Sequence, residues 1–66
     1  MQISVNGEAR QLDGETSVSR LLALLGLPEA KIAVERNLEI VPKSAYDSTI
    51  LQADDRIEIV HFIGGG

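Results

Sequence analysis

The chain has 66 residues, 44% of them hydrophobic, with ten acidic against six basic side chains and a formal net charge of −4. That is one domain near the lower size limit for a core held without disulfides or metal, and the absence of cysteine excludes disulfides, a thiolate nucleophile and a thiolate metal site. The acidic balance argues against nucleic acid and for partners with a basic surface, and the longest apolar run, Leu21 to Leu25, is too short to cross a bilayer. The expected location is the cytoplasm, since no charged n-region followed by an apolar stretch opens the chain.

Met1, Ile3 and Val5 alternate with Gln2 and Ser4, which predicts a half-buried strand. Asn6-Gly7 is a strong hairpin signal, and Ala9 to Leu12 returns as a short antiparallel strand. After the Asp13-Gly14 turn, Thr16 or Ser17, with Ser17 favoured, supplies an N-cap oxygen for a helix. Val18, Leu21, Leu22 and Leu25 then form one apolar stripe at i, i+3, i+4 and i+7, stopped by Gly26 and Pro28. Lys31 to Glu35 and Glu39 to Val41 predict two short strands around Arg36 and Asn37, with Pro42 closing the second. Ser44 to Ser48 predicts a helical turn, and Asp54-Asp55 turns the chain into a last strand, Arg56 to Ile63.

Strand, strand, helix, strand, strand, strand is the order of an α+β, ubiquitin-like β-grasp: a mixed sheet of about five strands with one main helix packed across it. The strongly apolar first and last strands are its expected central pair. The expected core is Ile3, Val5, Leu21, Leu22, Leu25, Val34, Ile57 and Ile59. Residues 1–63 form the β-grasp domain and residues 64–66 a flexible glycine tail, in a chain expected to be monomeric.

Gly64, Gly65 and Gly66 have no side chains to pack and lose the most conformational entropy on ordering. Two readings are open. Terminal glycines are a frayed end, or they are a thin arm that enters a channel closed to side chains and delivers an ionised α-carboxylate.

Met1-Gln2-Ile3 with Asn6-Gly7, Ser17-Val18 with Leu21-Leu22, Ala33-Val34-Glu35 with Asn37, Ile40-Val41-Pro42, and Asp55-Arg56-Ile57-Glu58-Ile59-Val60 before the glycines resemble the ThiS family of thiamine-biosynthesis sulfur carriers, over essentially the whole chain. The resemblance implies that an E1-like, ThiF-type enzyme adenylates the Gly66 carboxylate with ATP. A sulfur donor protein then supplies persulfide sulfur that displaces AMP, and the thiocarboxylate serves a ThiG-type thiazole synthase. Gly65 is the obligatory small neighbour, and Gly64 exceeds the minimal diglycine. Asp54 stands where the family commonly has glycine, and Tyr46 where tryptophan is usual.

The residues fit a carrier acted upon rather than an enzyme. No glycine-rich loop joins strand to helix and neither Lys31 nor Lys43 lies in one, so the chain is expected to bind no cofactor itself, ATP being used by its activating enzyme. In the last strand Ile57, Ile59, His61 and Ile63 share one face and Glu58, Val60 and Phe62 the other. Val60 and Phe62 are therefore candidate docking residues beside the tail, with Glu58 on the same face, or else ordinary packing. Asp54, Asp55 and Glu58 either meet basic partner residues or are simply solvated. His61, the one histidine, reads as a bystander in preference to a catalyst. Competing functions are the small subunit of molybdopterin synthase, a ubiquitin-like protein modifier and an interaction module with an inert tail.

Overall fold

A computed structural model describes residues 1–62. Strand β1 (Gln2–Val5) turns into β2 (Glu8–Gln11) through Asn6 and Gly7, at φ 49° and 84°. A two-residue turn with both central residues left-handed matches the right-handed twist of its strands, which is why Asn-Gly occurs there.

Helix α1 (Val18–Leu24) starts where the Ser17 Oγ accepts from the Arg20 amide at 3.0 Å. It ends as Gly26, at φ 71°, donates its amide to the Ala23 carbonyl and Leu27 donates to Leu22. These two bonds form a Schellman motif, which satisfies carbonyls the helix leaves unpaired. Val18, Leu21 and Leu22 are buried under the helix.

A 3-10 turn, Glu29–Lys31, intervenes before β3 (Ile32–Arg36), so that strand begins one residue later than the sequence predicts. β4 (Glu39–Val41) follows, and then a 3-10 turn at Lys43–Ala45, which overlaps the helical turn expected over Ser44 to Ser48 and begins one residue earlier. β5 (Arg56–His61) is the last element described, and Ile63, the expected end of that strand, lies outside the described residues.

The sheet order is β2-β1-β5-β3-β4, with β1 and β5 parallel and the other neighbours antiparallel. The first and last strands are adjacent as expected, and β5 occupies the centre, Val5 lying opposite Ile57 on one side and Val34 opposite Ile59 on the other. Of the expected core all but Leu25 are buried; Leu25 packs half-buried at the rim. Leu12, Val18, Ile32, Val41, Tyr46 and Leu51 complete the core. Tyr46 is only 1% exposed, and burial pushes its phenol pKa up. Among the described residues no helix is long and apolar enough to cross a membrane.

Candidate functional site

The site is built at the C-terminal end of β5, whose central position brings neighbours to both of its edges. Two asparagines extend that support beyond the neighbouring strands. Asn37, left-handed at φ 52°, exchanges two bonds with Arg56: its amide donates to the Arg56 carbonyl, and its Oδ1 accepts from the Arg56 amide at 2.9 Å. Asn6 does the same with its side chain past the end of β1, its Oδ1 accepting from the Ile59 amide at 2.7 Å and its Nδ2 donating to the Ile59 carbonyl at 3.2 Å. Beyond β3, the Phe62 amide donates to the Lys31 carbonyl at 2.7 Å. The strand is thereby hydrogen-bonded to its neighbours as far as Phe62.

Val60 is 59% and Phe62 51% exposed, and Glu58, on the same face of β5 as Val60, is half-buried between its neighbours. Val60 and Phe62 are therefore open to solvent and Glu58 only partly so. Register places Ala33 beside Val60, and Glu35 beside both Glu58 and Ile40. Ile40 is exposed too, and carries the apolar surface toward the sheet edge. Sequence reasoning missed Ile40, although its alternation with the buried Val41 was a usable signal.

The acidic residues separate into different roles. Asp54 is an exposed turn residue at φ 68°, the left-handed conformation that aspartate tolerates better than most residues. Asp55 is buried, which corrects the expectation of a solvated or partner-seeking acid. Its Oδ2 accepts from Arg36 Nε and from the Gln52 amide, both at 2.7 Å, and its Oδ1 accepts from Asn37 Nδ2 at 3.0 Å. Burial would raise the Asp55 pKa, but these bonds, with the Arg36 charge, hold it below the usual carboxylate value. Glu58 alone among the three acids lies on the face of β5 that carries Val60.

Lys43 was passed over because a lone surface lysine carries no sequence signal. Its Nζ donates to the carbonyls of Glu29 at 2.5 Å and Ile32 at 2.7 Å. The same ammonium lies 5.7 Å from the Tyr46 ring centroid and 5.8 Å from that of Phe62.

His61 is exposed although it shares the inward parity of Ile57 and Ile59 and pairs with the buried Ile32, because β1 ends opposite Ile57 and leaves no strand beside His61 on that side. It borders a cleft of about 260 Å³ with Val5, Asn6, Leu25 and Leu27. No group of His, Asp or Glu among the described residues could hold a metal ion. The expected tail, Gly64, Gly65 and Gly66, lies outside the described residues.

The model of the ThiS family matches residues 3–66. The chain is 40% identical over 65 residues to the sulfur carrier protein ThiS of Bacillus subtilis, covering 97% of this chain and 98% of that one. It is 50% identical over all 66 residues to a thiazole synthase of Paramagnetospirillum magneticum, but spans only 20% of that protein's length. The crystal structure of the thiamine biosynthesis protein ThiS from Geobacter metallireducens superposes with a TM-score of 0.84 at 35% identity, each chain fully covered.

Proposed function

The chain belongs to the ThiS family, and from that premise we propose that it carries sulfur for thiamine biosynthesis on the carboxylate of Gly66. The observation that carries this reading is the family match itself, which runs through the three glycines to residue 66. It also favours the thiazole pathway over the small subunit of molybdopterin synthase.

A carboxylate is a poor acyl donor because its leaving group would be oxide. In the proposed sequence the Gly66 carboxylate attacks the α-phosphorus of ATP on an E1-like, ThiF-type enzyme, releasing pyrophosphate and forming an acyl adenylate. A persulfide of the sulfur donor protein then attacks the carbonyl and expels AMP. A second thiol breaks the S–S bond, leaving a thiocarboxylate on Gly66 and a disulfide on the donor side. The chain itself is substrate throughout. Its contributions are a rigid central strand as base and a docking face formed by Val60, Phe62 and Glu58.

A ThiG-type thiazole synthase is the proposed acceptor. Support comes from relatives named thiazole synthase, in which a segment similar to this chain makes up about a fifth of the length. The test is ATP–pyrophosphate exchange by a ThiF-type enzyme. Exchange should depend on this chain and fall by about a hundredfold or more when Gly66 is removed, since the carboxylate then stops about 3.3–3.6 Å short of the phosphate. Exchange at the parental rate without Gly66 would refute the proposal.

A further inference from the structure

We propose that Lys43 is a positioning residue: its ammonium locks Phe62, and so orders the end of β5. The functional half of this inference rests on the sulfur-carrier reading; the structural half stands without it.

Lys43 acts on Phe62 by two routes. The first is through the backbone. Its bonds to the Glu29 and Ile32 carbonyls bracket the 3-10 turn Glu29–Lys31, and the Lys31 carbonyl in that turn accepts the Phe62 amide. The second is direct, because a cation within about 6 Å of a ring centroid is attracted by the ring's negative face. Here one cation serves two rings. Tyr46 is immobile in the core at 1% exposure, whereas Phe62 is half exposed at the end of the strand. The ammonium therefore connects a fixed ring to one that would otherwise be free to turn, and carries the rigidity of the core to the last described residue.

An exposed lysine normally keeps its rotamer freedom in water. Lys43 gives it up to two carbonyls and two rings, all of which belong to the segments that meet at the end of β5. A docking surface that is already ordered binds with less entropic cost than one that must order on contact. Locking Phe62 should therefore appear in affinity for the activating enzyme and leave the chemical step untouched.

The test compares Lys43→Met, Lys43→Gln and Lys43→Arg in the full chain. Met keeps the stem without the charge; Gln keeps a donor without the charge; Arg keeps charge, donors and ring stacking. Because Lys43 is exposed, all three should fold. Amide exchange is read at Phe62 against Val34 and Ile59, and binding and pyrophosphate release are read with a ThiF-type enzyme. The Met and Gln variants should lose about tenfold in Phe62 protection with Val34 unchanged, and raise Kd about 5- to 20-fold at constant kcat, with Arg restoring both. Parental Phe62 protection in Met and Gln, accompanied only by a lower Tm, would overturn the proposal. So would an Arg variant that behaves like Met. If the enzyme fails to turn over even the parent chain, the carrier reading falls, while Phe62 exchange still decides whether Lys43 positions the strand end.

Discussion

Asp55 is an acid whose partners all lie within its own chain: Arg36, Asn37 and the Gln52 amide. Its folded pKa is depressed, so its contribution to stability is present above the unfolded value of about 3.9 and is lost as pH falls through the folded value. Chemical denaturation should show Asp55→Asn less stable by about 1–3 kcal/mol at pH 7, with a shallower loss of stability below pH about 4 than the parent. An unchanged acid limb would mean that other carboxylates govern it. Val60 and Phe62 make the opposite kind of prediction. Replacing either with Asp should leave Tm within a few degrees of the parent, because each is more than half exposed, yet weaken binding to the activating enzyme by about 2 kcal/mol or more. Unchanged affinity in a titration would return both to ordinary surface. The parity of the last strand made the exposure of these two residues legible in the sequence. Asp55 was not, since a surface acid and a buried one look alike until the chain brings Arg36 and Asn37 to it.

Among the elements, those set by neighbouring residues were readable and those set by tertiary contact were not. Ser17 and Gly26 bound α1 where the sequence places its cap and its stop, because both signals act within one turn of the helix. The hairpin at Asn6-Gly7 is local in the same way. The Glu29–Lys31 turn is different, since its geometry is fixed by Lys43 from twelve or more residues away in the chain, by Phe62 pairing with Lys31, and by no motif of its own. Tyr46 likewise reads as a modest change of volume in sequence, whereas in the fold it is a fully buried member of the core. The β3–β4 turn contains Leu38 at φ 71°, 74% exposed, where glycine would be unstrained. Relief of left-handed strain is worth about 1–2 kcal/mol, and the extra flexibility of glycine takes back part of it. Leu38→Gly should therefore stabilise the protein by about 0.5–1 kcal/mol in denaturant unfolding. A destabilised variant would show that the leucine makes a contact that outweighs its strain.

At the scale of the whole molecule, the sheet order places the last strand in the middle with a neighbour on each side, and in the sequence the glycines follow that strand. Topology was legible because the first and last strands are the most apolar. The proposed role of the glycines was legible only through the resemblance, which the family match supports. Adding one alanine after Gly66 should abolish activation without altering the fold, because the carboxylate overshoots and a Cβ enters a channel suited to none. The most direct measurement is intact and fragment mass after incubation with a ThiF-type enzyme, ATP and a persulfide donor. The parent should gain the mass difference of one oxygen replaced by one sulfur, localised to Gly66, while both the shortened and the extended chains stay unchanged. Sulfur elsewhere in the chain, or equal conversion of all three proteins, would contradict the assignment of Gly66 as the carrying residue.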